Sequence, residues 1–260
     1  MKRPSISIVG AGRLGTALAR RLSEAKYTVK KLTRKSVPIT QLDAQVMWFC
    51  IPDADITRVA YSFSQFEWQR KIAFHSSGTL SSDALISLRD AGARVASVHP
   101  LMTFVKGYVP ELRNVPFAVE GDAAAVRVAK GIVRNLGGQA VTIKKQDKVA
   151  YHAFATMICP LLISLLAASE KAAALAGMSA AESRTRMLPI IRQTLHNYEK
   201  LGPAKAFSGP IVRGDVATVR AHLNALSKIP AAKNAYVALA RAALDLLPNR
   251  NRRQIAHLFG

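Results

Sequence analysis

The sequence predicts an α/β domain built on a doubly wound parallel sheet, followed by an all-α C-terminal domain. In residues 1–146, strand-like and helix-like segments alternate. One of the strand-like runs, Val46–Ile51, is apolar throughout, which is typical of a parallel strand covered on both faces. In residues 147–260 the segments have helical periodicity and no convincing strand follows. We therefore expect two domains, residues 1–146 and residues 147–260.

Seven segments of the first domain have the composition of strands. The strands are expected at Ser5–Val9, Thr28–Thr33, Val46–Ile51, Lys71–His75, Arg94–His99, Phe117–Glu120 and Ala140–Ile143. Helices are expected from the glycine-rich turn after the first strand to Ala25, at Ser81–Ala91 and at Ala123–Leu136. The last of these helices ends at Gly137, which is a typical C-cap.

The second domain divides into helices at its glycines and prolines. Helices are expected at 147–176, 180–200, 215–228 and 231–247, and the final residues are expected to form a short helix or a frayed end. The most apolar stretch, Ala153–Ala168, is shorter than a membrane span and contains Pro160. We interpret it as a helix buried in the protein or at a subunit interface.

The net charge of +21 suggests nucleic acid as a partner, but its distribution argues against one. The basic excess is spread over both predicted domains, with no dense basic arm and no motif typical of nucleic-acid-binding modules. A basic surface of this kind attracts small anionic ligands. We therefore expect no specific nucleic-acid partner.

The cysteines and the N-terminus bear on the compartment. Cys50 and Cys159 lie far apart in apolar runs, which suits buried thiols in a reducing compartment. The first residues contain no cleavable apolar core. We expect a cytoplasmic protein without membrane association. We expect no metal site either, because no ligand pair has metal-binding spacing.

A GxGxxG motif follows the first predicted strand and begins a helix. It comprises Gly10, Ala11, Gly12, Arg13, Leu14 and Gly15. The first glycine permits the tight turn, the second leaves room for a pyrophosphate near the backbone, and the third allows close packing of helix and strand. This context predicts a Rossmann-type dinucleotide site, with the phosphates at the positive end of the helix.

The end of the second strand distinguishes NADP from NAD. An NAD site normally has an acidic residue there, which binds the ribose 2′-hydroxyl. This chain has Thr33, Arg34 and Ser36 instead, and these side chains suit a 2′-phosphate. The alternative is that this basic segment is only a solvated turn. We expect NADP(H) as the cofactor.

Polar groups follow three further predicted strands, at the edge of the sheet where ligands bind in such folds. Cofactor contacts are expected from Ile51, Pro52, Asp53 and His75, substrate contacts from Ser77, and catalytic roles for Ser76 and His99. Each signal is weak alone, because a histidine at a strand end often binds only a loop carbonyl. Together they favour a functional site.

Lys148 and His152 lie four residues apart on one face of the first helix of the second domain. Either side chain is a candidate proton donor, Lys148 if burial lowers its pKa and His152 because its ordinary pKa is near neutral. The alternatives are a solvated lysine in the first helical turn and a buried structural histidine.

The segment at residues 208–215 is rich in glycine and presents Arg213, a suitable clamp for a substrate carboxylate. Asp215 either orients Arg213 or caps the following helix, and the cap is the favoured interpretation.

At this point the chain resembles a known group of proteins along most of its length. The residues that carry the likeness are GAGRLG (10–15), IPD (51–53), HSSG (75–78), VHPLMTF (98–104), DKVAYHA (147–153) and SGPIVRGD (208–215). The group comprises Rossmann-like oxidoreductases whose helical C-terminal domain is catalogued as a domain of unknown function. They are related to ketopantoate reductase, to 6-phosphogluconate and β-hydroxyacid dehydrogenases, and to deazaflavin-dependent NADP oxidoreductases.

The resemblance implies an NADPH-dependent reductase or dehydrogenase that forms a homodimer through the helical domain. In the β-hydroxyacid dehydrogenases a Lys and an Asn at the spacing of Lys148 and His152 polarise the substrate oxygen, so His152 stands at the Asn-like position. A further departure is Ile158-Cys159, where a small polar residue and Asn are expected.

We therefore expect reduction of a small carbonyl or imine substrate that bears a carboxylate, in a cleft between the two domains. A ketopantoate-like 2-oxo acid is one candidate substrate. The alternative is a non-catalytic NADP(H)-binding sensor or regulatory module, which the incomplete Lys/Asn pattern favours.

Replacing Arg34 with alanine tests the predicted cofactor preference. We expect Arg34→Ala to weaken binding of NADPH far more than binding of NADH, because only NADPH carries the 2′-phosphate. Titration calorimetry with both nucleotides measures the two affinities. Equal losses for the two nucleotides would exclude Arg34 from that role.

Overall fold

A computed structural model of the chain describes residues 3–33 and 42–260. The chain divides into two compact units, Met1–Met157 and Ile158–Gly260. The first unit holds the sheet, and the second is helical.

The first unit is built on a seven-stranded sheet. Its strands are β1 (Ile6–Val9), β2 (Val29–Leu32), β3 (Val46–Phe49), β4 (Ile72–His75), β5 (Arg94–Pro100), β6 (Pro116–Gly121) and β7 (Gln139–Thr142). Their order in the sheet is β2-β1-β3-β4-β5-β6-β7. All seven expected strands are present, and the α/β Rossmann-type fold with a helical C-terminal region is confirmed.

One pairing differs from the parallel sheet that we expected. Strand β6 pairs antiparallel to β5, with Val98 opposite Val119, and β7 then pairs parallel to β6. A parallel pair needs a crossover, which is usually a helix. The connection between β5 and β6, residues 101–115, contains no helix and returns the chain in the opposite direction.

The described residues of the first unit form five helices, the last of which ends one residue beyond it. They are α1 (Arg13–Glu24), α2 (Asp53–Phe63), α3 (Ile86–Asp90), α4 (Ala123–Asn135) and α5 (Lys148–Ile158), with 3-10 turns at Ser82–Leu85 and Lys145–Asp147. Helix α2 was not expected from the sequence. Its buried residues Ile56, Ala60 and Phe63 are spaced four and three apart, a helical pattern that could have revealed it.

The sheet is covered on both faces. Along β3, Val46 and Trp48 pack into one apolar cluster, while Met47 and Phe49 pack into the other. Helices α1 and α4 cover the first face, and α2 and α3 cover the second. This two-sided burial explains why the central strands are apolar without alternation.

The second unit contains six helices and a final 3-10 turn. The helices are α6 (Pro160–Ala174), α7 (Ala180–Ala206, with a non-helical break at Gly202), α8 (Pro210–Arg213), α9 (Val216–Leu226), α10 (Pro230–Leu246) and α11 (Arg252–Ala256). The helix expected at 147–176 is in fact two, since Cys159 is non-helical and Pro160 begins α6. Proline disfavours helical backbone in the residue before it and suits a helix start.

The chain end is a short helix, which was one of the two forms that we expected. Ile255 and Phe259 are buried in the core of the helical unit with Leu244. The Arg241 guanidinium donates hydrogen bonds to the carbonyl oxygens of Phe259 and Gly260.

The long apolar segment is exposed in this chain. The 30-residue segment Lys145–Ala174 comprises a 3-10 turn, α5 and α6; its most apolar part has a mean hydropathy of 1.9, and none of that part is buried. By length and composition alone this segment is sufficient to cross a membrane, whereas the stretch Ala153–Ala168 within it is shorter than a span. Of our two interpretations of this stretch, burial within the chain is therefore wrong, and a place at a subunit interface stays a prediction. Large apolar side chains such as Met157 and Ile163 are more than 60% exposed.

Candidate active site

In the glycine-rich loop between β1 and α1, two glycines lie unusually close to neighbouring backbone. Gly10 has φ of +107°, which is accessible to glycine at little cost. A Cβ on Gly15 would lie 2.1 Å from the carbonyl oxygen of Gly10, and a Cβ on Gly10 would lie 2.6 Å from that of Cys50. Side chains at these two positions would therefore separate α1 from the sheet.

Gly12 differs from the other two glycines because no atom of the described residues lies within 4 Å of the Cβ that it lacks. It is the N-cap of α1, and no side chain caps the helix there. The first amides of a helix are unsatisfied donors at the positive end of the helix dipole. The loop thus has open space and free donors at the point where a pyrophosphate would bind.

A cavity of about 410 Å³ opens beside this loop. It lies at the carboxyl ends of β1 and β3, between which the strand order reverses, and ligands bind at this point in doubly wound sheets. The predicted residues that line it are Gly10, Ala11, Gly12, Thr33, Ile51 and Pro52. Arg13, Leu14 and Gly15 form the first turn of α1. Arg34 and Ser36 lie outside the described residues.

Two lining residues were missed because α2 was missed. Asp55 and Arg58 lie on that helix, and the Arg58 guanidinium lies 2.6 Å from the Asp55 carboxylate. The Arg58 side chain is 72% exposed, so it can reorient toward a ligand at small cost.

Ser77 connects two loops at the strand ends. Its hydroxyl donates a 2.6 Å hydrogen bond to the carboxylate of Asp53, and the Thr79 hydroxyl donates to the same oxygen. The amides of Thr79 and Leu80 in turn donate to the Ser77 oxygen. These bonds fix the loop after β4 to the start of α2.

His75 has a structural role in place of the predicted cofactor contact. The ring is fully buried; its Nδ1 accepts a hydrogen bond from the amide of Ser77, and its Nε2 lies 2.9 Å from the carbonyl oxygen of Ser81. These partners require the neutral form that is protonated on Nε2. Burial lowers the pKa of His75 to about 4, with a smaller lowering by the Lys148 charge.

Ser76 is also engaged within the core, although we expected a catalytic role. Its hydroxyl oxygen accepts a 2.7 Å hydrogen bond from the indole nitrogen of Trp48, and the residue is 8% exposed. A buried indole N–H needs such a partner. Ser76 thus serves as the hydrogen-bond acceptor of the buried Trp48 indole.

Lys148 is the most unusual residue of the site, because its side chain is 1% exposed. The ammonium donates hydrogen bonds to the Ser97 hydroxyl at 2.7 Å and to the Ser77 carbonyl oxygen at 3.1 Å. Burial lowers the pKa of Lys148, while the negative charges of Glu120 and Asp53 raise it. The alternative of a solvated lysine is wrong.

Two histidines lie next to each other beside this lysine. The rings of His99 and His152 are 5.7 Å apart and nearly perpendicular. His152 packs against Gly78, where a Cβ would lie 2.1 Å from the imidazole. The Nδ1 atom of His99 is buried without a hydrogen-bond partner among the described residues. Burial and, to a smaller extent, the charges of Lys148 and His152 lower the pKa of His99 to about 4.

Glu120 is a buried acid that sequence reasoning missed. It is 4% exposed and accepts hydrogen bonds from the amide and the hydroxyl of Ser82. It lies near the end of an otherwise apolar strand. Acidic residues are rarely buried without a partner, so an acid in such a strand could have revealed a buried polar site.

The second unit holds the remaining predicted site residues. Asp215 caps α9 by accepting bonds from the amide and hydroxyl of Thr218 at 3.0 and 2.7 Å. These bonds lower the pKa of Asp215, and both carboxylate oxygens are engaged. The cap was the favoured interpretation and is confirmed, while the substrate contact of Asp215 stays a prediction. Arg213 is exposed at the end of α8.

Residues 115–243 match a family of proteins. The family is described as a domain of unknown function, DUF2520. No curated protein matches the chain at a significant level. The match spans the end of the sheet and most of the helical unit.

Three solved structures are similar to the whole chain. A protein of Bacteroides fragilis named as a candidate NADP oxidoreductase superposes with a TM-score of 0.78 at 18% identity, over 92% of this chain and 97% of the other. An imine reductase from Pseudomonas sp. gives 0.65 at 18%, over 94% of each chain. A reductive aminase from Aspergillus terreus, in complex with NADPH and ethyl-5-oxohexanoate, gives 0.68 at 14%, over 98% and 99%. At these identities the likeness establishes the fold.

The buried histidine His75 predicts a loss of stability in mild acid. The unfolded chain takes up this proton near pH 6.5, whereas the folded chain does so only near pH 4. The free energy of unfolding is therefore highest above pH 6.5 and falls as the pH is lowered toward 4. Between pH 7 and pH 5 this group should account for a loss of about 2 kcal/mol.

Urea denaturation at pH 7 and pH 5 measures this effect. The loss should be smaller by about that amount in His75→Gln than in the unaltered protein. His196→Gln, which alters an exposed histidine of α7, is the matched control and should leave the loss unchanged. The same loss in His75→Gln as in the unaltered protein would contradict the assignment.

Proposed function

We propose that this chain is an NADPH-dependent oxidoreductase that reduces a small carbonyl or imine substrate bearing a carboxylate. The observation that carries the proposal is the open space at Gly12, beside a cavity at the switch point of the sheet. A buried lysine and two adjoining histidines lie in the same unit.

The similar structures support a reduction of this kind. Their names include an imine reductase and a reductive aminase, the latter in complex with NADPH and an oxo ester. The GxGxxG loop and the absence of an acid after β2 support the same cofactor here. The ketopantoate-like 2-oxo acid remains one candidate within the wider class.

NADPH, when bound, supplies the hydride. The amides at the start of α1 suit its pyrophosphate, because they are free donors beside a residue without a side chain. Thr33, Arg34 and Ser36 are the proposed partners of the 2′-phosphate. The pair of Asp55 and Arg58 borders the same cavity.

We assign the proton donor to His152 and the electrostatic role to Lys148. The Lys148 ammonium is 1% exposed and two of its three N–H groups bind Ser77 and Ser97. It is therefore a fixed positive charge that stabilises negative charge developing on a substrate oxygen or nitrogen. The His152 ring is only partly buried, so its imidazole can transfer a proton to that atom. His99, in ring contact, orients it.

The test combines binding with turnover. Calorimetric titration with NADPH and NADH should show selective binding of NADPH, and NADPH oxidation should be followed with a panel of 2-oxo acids, including ketopantoate, and of cyclic imines bearing a carboxylate. Gly12→Asp should abolish NADPH binding, because its carboxylate would repel the pyrophosphate. His152→Gln should lower kcat by roughly 10²- to 10⁴-fold and leave NADPH affinity unchanged.

His222→Gln is the matched control, because it alters a histidine of the other unit that contacts Tyr236. It should leave kcat unchanged. No NADPH binding would overturn the proposal, and unchanged kcat in His152→Gln would exclude that residue as donor. Selective NADPH binding without turnover on the whole panel would favour the sensor function instead.

We also propose that the chain forms a homodimer through the helical domain predicted at residues 147–260. The exposed apolar side chains of α5 and α6, such as Val149, Phe154 and Leu161, support a covered interface there. Sedimentation equilibrium should give twice the chain mass of 28.1 kDa. A monomer at micromolar concentration would contradict this proposal.

A further inference from the structure

A second cavity lies at the amino ends of the strands, opposite to the carboxyl ends where the glycine-rich loop lies. It measures about 490 Å³, within the range of roughly 300–1,000 Å³ that is usual for small-molecule sites. Residues at the start of β1, β3 and β4 line one side, and the C-terminal half of α4 lines the other. None of the predicted cofactor or catalytic residues that the structure describes belongs to it.

Four arginines line this cavity. They are Arg3, Arg70, Arg127 and Arg134. Among the residues that the structure describes, none that lines the cavity is acidic, and none of the four arginines has a carboxylate within 4 Å. Guanidinium groups remain charged at any physiological pH, so four positive charges surround one concave site without compensation.

All four arginines are exposed, and two of them lie on one face of α4. Arg127, Gly131 and Arg134 follow one another at the spacing of one helical face. In residues 3–33 and 42–260, nothing lies within 4 Å of the Cβ that Gly131 lacks, so the glycine leaves the space between the two arginines open.

The rest of the lining provides an apolar wall with polar groups held in place. Val46, Ile72 and Ile132 are apolar and buried or half-buried. The amide nitrogen of Asn135 donates a 2.7 Å hydrogen bond to the Tyr27 hydroxyl, and the Arg3 guanidinium lies 5.5 Å from the centre of the Tyr27 ring. A ligand here would contact apolar side chains with its body and arginines with its charged groups.

We propose that this cavity binds a small organic polyanion, a molecule with two or more phosphate or carboxylate groups on a carbon skeleton. Arginine binds both groups through paired N–H donors, and binding relieves the repulsion among the four like charges. The site is distinct from the glycine-rich loop, at the amino ends of the strands, and the inference does not depend on the proposed reductase activity.

The experiment is a calorimetric titration of the full chain with ADP and with citrate. All proteins carry Gly12→Asp, which blocks phosphate binding at the glycine-rich loop. At least one of the two probes should bind. Binding of ADP alone indicates a nucleotide-like ligand, and binding of citrate alone indicates a polycarboxylate. Failure of both probes to bind would overturn the proposal, whether or not the chain proves to be a reductase.

Three variants locate the binding. Arg127→Gln with Arg134→Gln removes two charges from the cavity, while Gly131→Leu fills it and keeps every charge. Each should weaken binding by roughly tenfold or more. Arg192→Gln with Arg220→Gln removes two exposed charges from helices of the other unit and is the matched control.

The control should bind within about twofold of the unaltered background. An equal loss in the control, or full affinity in Gly131→Leu, would show that the probe responds only to net charge and would overturn the proposal. Thermal unfolding of each variant confirms folding. Leucine favours a helix more than glycine does, and this glycine does not have a positive φ, so Gly131→Leu should fold.

Discussion

The close contact between the start of α1 and the sheet is the constraint on which the first unit depends. Gly15 and Gly10 approach so closely that a single Cβ at Gly15 would overlap the Gly10 carbonyl. This contact sets the direction of α1 and leaves the amides of its first turn free at the carboxyl end of β1. The cavity between β1 and β3, and the space beside Gly12, both follow from that geometry.

A second constraint is the burial of the Lys148 charge. Burying an ammonium is costly unless its donors find partners, and Ser97 in the middle of β5 and Ser77 after the end of β4 accept hydrogen bonds from two of its three N–H groups. Its field in turn helps to keep His75 and His99 neutral. The polar groups at the strand ends therefore form one electrostatic unit. The proposed reduction rests on this unit, because the fold by itself implies no single activity.

The carboxyl and amino ends of the strands present different chemical groups. At the carboxyl ends, backbone amides and glycines leave space for a dinucleotide, and at the amino ends four arginines surround a cavity without acidic neighbours. The net charge of +21 thus has a local meaning that composition alone could not give. The excess charge is concentrated around a concave site as well as spread over the surface.

The sequence by itself determined the features that depend on neighbouring residues: the seven strands, the glycine loop, and the polar groups at strand ends. Only the tertiary structure decided that β6 runs antiparallel, that His75 and Ser76 satisfy core groups, and that Lys148 is buried. The physical reason is distance along the chain. Lys148 binds residues 71 and 51 positions before it, and Glu120 binds one 38 positions before. A periodic pattern reports local backbone geometry, whereas these partners meet only when the sheet has formed.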